Sequence, residues 1–198
     1  MIRTILASLL LTFSFNASPK TKLLEHVPLE WRPTSTLQLG IAQMTDLPVE
    51  VATFTDGRDN KEVIGENRED DNPKPVTTTD DVGSFVSTHV RELLDQAGIK
   101  TVDSNGGTVI KGEVKRFFVR EESTYRSEVA VHLTVIDRDG RLLWNGIVSG
   151  EAARFGRSYR VDNYYEVLSD AVVNTVSSML QATDLQKAMS GQAVRPGA

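Results

Sequence analysis

The chain has 198 residues and carries 22 basic against 27 acidic side chains, a net charge of −5, with no cysteine. This length suits one domain with a proper core, and an acidic balance without any Lys/Arg block argues against a nucleic-acid surface. The lack of cysteine excludes disulfides, thiol catalysis, thiolate zinc sites and lipid attachment through a thiol.

Met1, Ile2 and Arg3 give a short positive start, Ile5 to Phe15 form an apolar run, and Asn16, Ala17 and Ser18 supply small residues. This is the order of a secretory signal, so residues 1–18 are expected to direct export to the periplasm. The run is about eleven residues, too short for a membrane-spanning helix, which needs about twenty. Residues 19–36, punctuated by Pro19, Pro28 and Pro33, read as an extended lead-in.

A single α+β domain is expected over residues 37–182. Leu37, Leu39 and Ile41 alternate with polar or small residues, as do Val49, Val51 and Thr53, and a first strand is expected to end near Asp56. Residues 57–79 hold few aliphatic side chains, many charges and Pro73-Lys74-Pro75, the composition of a long mobile loop. Asp80 or Asp81 can cap a helix whose apolar stripe is Val82, Phe85, Val86, Val90, Leu93, Leu94 and Ala97, with Gly98 as its terminator.

Three strands should follow. The first runs from Thr108 to Val119 with Ile110, Val114 and Phe118 on one face, and the second alternates Val129, Val131, Leu133 and Val135 with polar positions. Asp139-Gly140 marks a hairpin leading to the third strand, Leu142 to Ser149. Asn163 and Glu166 have capping-box spacing ahead of a helix through Tyr165, Leu168, Val172, Val176, Met179 and Leu180. Residues 183–198 lose the apolar face and read as a flexible tail. The order strand, loop, helix, three strands, helix predicts a two-layer α+β sandwich, with a mainly antiparallel sheet and two amphipathic helices on one face.

No chemistry-bearing motif emerges. Phosphate-loop and nucleophile-elbow patterns are absent, and His26, His89 and His132 have no metal-ligand spacing, so neither cofactor nor metal nor catalytic residue is assigned. The acidic pairs Asp70-Asp71 and Glu121-Glu122 fall in expected turns, where solvated charge is the ordinary state. One constellation stands out: Asp56, Arg58 and Gly65 at the root of the long loop. A carboxylate and a guanidinium two residues apart can pin that root or meet a partner, and Gly65 can supply a backbone angle that other residues rarely adopt.

The strand ending in Asp56-Gly57-Arg58, then Ile64-Gly65, the helix closing with Leu94 and Gly98, the strand Val109 to Val119 and the Asp139-Gly140 hairpin resemble the YajG-type lipoproteins of Gram-negative envelopes. The resemblance implies an outer-membrane-associated periplasmic domain with no established catalytic activity, and it transfers no catalytic residues. The chain departs from that pattern where the lipid-bearing cysteine would stand, for Ala17 and Ser18 occupy the place. The expected function is a non-enzymatic envelope domain that binds a protein, polymer or lipid through the loop and a sheet edge or helix face. A hydrolase using loop carboxylates and a purely architectural envelope subunit stand as alternatives.

Overall fold

The computed structural model describes residues 23–39, 47–156 and 158–194. The signal-like segment 1–18 therefore lies outside the described residues, as do the start of the lead-in and Ile41 of the first expected strand. The elements in chain order are β1 (Val49–Val51), β2 (Thr55–Asp56), β3 (Val63–Asn67), β4 (Lys74–Thr77), α1 (Val82–Gln96), β5 (Thr101–Val102), β6 (Thr108–Glu121), β7 (Thr124–Asp137), β8 (Leu142–Phe155), α2 (Val161–Gln181) and α3 (Thr183–Met189).

The sheet is organised around β6, β7 and β8, three 14-residue strands in an antiparallel meander. The turn between β7 and β8 is the expected one: Gly140 has φ +80°, and Asp137 Oδ1 accepts from the backbone N–H of Asp139 and Arg141. Along its other edge β6 is tiled by three short parallel strands, β1 against Thr108–Ile110, β2 against Glu113–Val114 and β3 against Val119–Glu121. Antiparallel β4 completes one end beyond β3, and parallel β5 lies beyond β1. Both helices predicted from apolar spacing pack on one face, making the two-layer sandwich.

Five expectations change. Residues 57–79 are not one long loop, because β3 and β4 are integral to the sheet, with Ile64 and Val76 fully buried. Leu37 to Leu39 form no strand; Leu37 instead packs against the core. A bulge between Val114 and Arg116 reverses the alternation of β6, so Phe117 enters the core and Phe118 faces away from it. The helix α2 begins at Val161 without a capping box: Arg160 is its N-cap, Asn163 donates to Ser158 Oγ, and Glu166 pairs with Arg154. The segment after 182 is not simply a tail, for α3 buries Leu185, Ala188 and Met189.

The other helix ends as its sequence predicts. Asp81 accepts from the backbone of Ser84, and Gly98 closes the C-terminus at φ +84°. Close approach of the two layers is set by Gly150, where a Cβ would meet the Thr175 nitrogen at 2.2 Å and the Ala171 oxygen at 2.4 Å. Over the helices lies the lead-in, an extended strap. Its backbone N–H groups donate to helix side chains, Arg32 to Ser169 Oγ, Thr34 and Ser35 to Asp170 Oδ1, and Gln38 to Ser177 Oγ. Trp31 stacks on His89 of α1 with ring centroids 3.9 Å apart. Among the described residues one face of the sheet is thus covered by helices plus strap, and the other is bare.

Candidate functional site

The turn after β2 places Arg58 between the end of β2 and the start of β3, beside Phe117 of β6. Its guanidinium grips Asp56 bidentately, Nε to Oδ1 at 2.9 Å and Nη2 to Oδ2 at 2.8 Å. The remaining donors reach carbonyls of Lys61 at 2.6 Å, Val63 at 2.9 Å and Phe117 at 3.3 Å. A guanidinium has five N–H groups, so every one is engaged. Arg58 and Asp56 side chains are only 7% and 9% exposed. Burial raises the Asp56 carboxyl, but the hydrogen bonds and charge of Arg58 outweigh it and hold Asp56 below the usual carboxylate range. The geometry of the pair is a clasp that joins β2, β3 and β6.

Gly65 stands in β3, apart from the clasp, and its backbone angle is not in the left-handed region. The reason for glycine is space: a Cβ there would meet Tyr164 Cε1 and the Val119 carbonyl oxygen, both at 2.8 Å. The sequence-derived trio therefore separates into a clasp and a packing position.

Glu121, expected in a solvated turn, is the fully buried last residue of β6. Its Oε1 accepts from the backbone N–H of Ser158 at 3.2 Å and Tyr159 at 2.8 Å, and its Oε2 accepts from the Tyr164 hydroxyl at 2.8 Å. Burial alone would push this carboxyl up. Donation from Tyr125, Tyr159 and Tyr164 outweighs burial and holds it low; Asn67 also favours the charged form, although its Nδ2 reaches no full hydrogen-bond geometry. Burial, and then the adjacent carboxylate, push the Tyr164 hydroxyl far up. The other expected carboxylates do not join it: Asp70 is a surface partner of Lys74, and Asp71 is exposed.

The bare face of the sheet gathers the remaining chemistry. The β6 bulge turns Arg116, Phe118 and Arg120 outward in succession, opposite Ala130, Glu128 and Arg126 of β7. Beyond them lie Ser149, Glu151 and Ala153 of β8. Two shallow depressions of about 520 and 510 Å³ meet at Arg116 and Phe118. The first extends over Arg120, Arg126, Glu128 and Glu151, and the second toward Asn60 and Lys115. A third, of about 310 Å³, continues the face over Lys111, Glu113, His132 and Thr134. The Arg116 guanidinium lies 4.6 Å from the Phe118 ring centroid and 3.3 Å from Glu128. On β8, Ile147 and Phe155 remain 65% and 86% exposed, too much for core residues. Planar guanidiniums beside an aromatic ring can bind carboxylate or phosphate and flat apolar surface together.

Sequence reading missed this surface because a bulge has no strong residue signature, and strict alternation put Phe118 inside. The available signal was the Arg-Phe-Phe-Val-Arg run at 116–120, whose two aromatics cannot both face one side of a strand. Among the described residues no group of three or more His, Cys, Asp or Glu is placed to hold a metal ion, and no helix is long and apolar enough to cross a membrane.

No family model and no curated protein matches the chain. Among solved structures it is similar to a Xanthomonas campestris protein of the DUF330 family, at 12% identity and TM-score 0.58, covering 79% of this chain and 96% of that one. It is also similar to the PelC dodecamer from Paraburkholderia phytofirmans, at 17% identity and TM-score 0.42, over 74% and 96% of the two chains. A candidate lipoprotein from Caulobacter crescentus aligns at 12% identity and TM-score 0.41, over 54% and 84%. At these identities the likeness is one of fold, and the DUF330 protein carries it.

Proposed function

We propose that this chain is a non-enzymatic binding domain of the bacterial cell envelope, and that it takes its partner on the bare face of β6, β7 and β8. The envelope address rests on the charged start, short apolar run and small residues of the first 18 positions, and on the resemblance to YajG-type lipoproteins. The observation that carries the binding reading is the Arg116–Phe118–Arg120 row, which a bulge turns away from the core. A face needed only for solubility would be served by dispersed charge, whereas this one joins neighbouring depressions and leaves Ile147 and Phe155 uncovered.

Two features favour binding over hydrolysis. Among the described residues the one fully buried carboxylate, Glu121, is enclosed by donors that stabilise its charged form, whereas a general base or acid working near neutrality is tuned upward. Asp70 pairs instead with Lys74 at the surface and Asp71 is exposed, so neither joins it. Affinity capture from envelope extracts tests the reading, comparing the native chain with an Arg116→Glu/Arg126→Glu variant and with Lys187→Glu on α3. A specific component retained by the native chain and by Lys187→Glu, and lost from the face variant, is the expected result. Equal retention by all three would remove the bare face from the account.

A further inference from the structure

The distribution of charge on the bare face is uneven in a way that the fold does not require. Arg120 of β6 and Arg126 of β7 stand directly opposite each other, an arrangement of like charges that destabilises a sheet. Relief from within the chain is small. Arg120 reaches Glu66 only at 3.6 Å, and Arg68 already holds the same oxygen at 2.6 Å. Arg126 is exposed and has no ionic partner among the described residues. The next row is acidic, with Glu128 opposite Glu151. Arg116 holds Glu128 at 3.3 Å, and Phe118 stands opposite Glu128 on β6.

An occupant matching these rows needs an anionic group for the two arginines and neutral hydrogen-bond donors for Glu151. It also needs a flat apolar surface to lie against Phe118. Main-chain pairing is not available to it on this face, because the β6–β7–β8 backbone is already engaged in its own ladders. A sugar acid meets all three demands: its carboxylate faces a guanidinium, its hydroxyls donate, and its ring has apolar C–H faces. An acidic peptide supplies the carboxylates but brings hydroxyls only where its side chains happen to carry them. Deepening the reading of this face as a recognition surface, we propose that the groove binds a carboxylate-bearing polysaccharide, with Arg120 and Arg126 holding its carboxylates and Glu151 accepting from its hydroxyls.

Titration with polygalacturonate, neutral dextran and poly-L-glutamate tests the assignment, each against the native chain and Arg120→Ala/Arg126→Ala. Circular dichroism melting shows whether the variant is folded, and these exposed side chains should change the melting little. Polygalacturonate is expected to bind the native chain, to weaken as salt is raised, and to lose about tenfold or more in the variant, the scale of losing charge-assisted hydrogen bonds. Dextran should not bind, and poly-L-glutamate should bind more weakly than polygalacturonate. The Arg126→Ala single variant, which disturbs no ion pair, should lose a smaller fraction in the same direction.

Tighter binding of poly-L-glutamate would overturn the polysaccharide class in favour of an acidic protein segment. Polygalacturonate binding unaffected by the double variant, or absent from the folded native chain, would overturn the site. If the polymer fails while the envelope component is still lost from the Arg116→Glu/Arg126→Glu variant, the face remains a recognition surface and only its occupant is wrong.

Discussion

Arg58 and Asp56 were legible in the sequence as a pair, because they stand two positions apart at a strand end, but their neighbours were not. Lys61, Val63 and Phe117 contribute carbonyls, which carry no sequence signal. The complete use of the five guanidinium donors gives a clear expectation: Arg58→Ala strands the Asp56 carboxylate and three carbonyls, at a cost of about 3–5 kcal/mol, the scale of a broken buried pair. Arg58→Lys should recover little of it, since a single ammonium cannot span both carboxylate oxygens and the carbonyls. Urea unfolding midpoints measure both, and an Arg58→Ala midpoint close to native would refute the clasp.

Glu121 gives the acid response at the same scale. Its folded carboxyl is held below the usual range, as are those of Asp56 and Asp170. A carboxyl depressed in the folded state stabilises fully above its unfolded value, about 4.3 for Glu and about 3.9 for Asp, and the contribution is lost as pH falls through the folded value. The domain should therefore keep its stability from neutrality down to about pH 5 and lose it steeply below about pH 4. Glu121→Gln retains an acceptor without the charge, so its unfolding midpoint should start lower at pH 7 and fall less steeply on acidification. An acid limb identical to that of the native chain would show that Glu121 does not contribute.

At the scale of elements, α1, β7, the Asp139-Gly140 turn and most of α2 were legible because each is long enough to repeat its period, or carries a residue whose backbone preference is strong. The strands β3 and β4 were not. Val63 and Ile64 are followed by Gly65 and Glu66, and Pro75 interrupts β4, features that resemble a loop. In the structure Pro75 is tolerated because β4 lies at the edge of the sheet. Short α3 escaped for a related reason: Leu185, Ala188 and Met189 give one stripe and no repetition. Replacing residues 66–77 with a shorter Gly/Ser linker would be nearly neutral for a true loop. Here it deletes β4 and the end of β3, exposes Ile64 and removes buried Val76, so a loss of several kcal/mol or failure to fold is expected. Native-like unfolding of that deletion would restore the loop reading. At the other side of the sheet, Gly150→Ala should force α2 away from β8 at a cost of about 1–3 kcal/mol or more, read as a lower melting temperature with retained helical signal.

For the whole molecule, the sequence predicted two layers and a mainly antiparallel sheet, and the structure has both. What it left open was which surface remains after packing. The apolar stripes of α1 and α2 cover one face of the sheet, the lead-in straps over those helices through Asp170, Ser169 and Ser177, and no described residue covers the other face. That outcome depends on the bulge after Val114 and on pairing across β6, β7 and β8, which bring together residues up to about 30 positions apart. Composition cannot show such a juxtaposition. The central claim is that this uncovered face meets the partner, and site-specific photo-cross-linking tests it most directly, with a photoreactive side chain at Phe118 on the face and, separately, at Glu92 on α1. In intact envelope preparations a discrete adduct is expected from position 118 and not from position 92, and Arg126→Glu should diminish it. An adduct from position 92 with none from position 118 would contradict the account and move recognition to the helices.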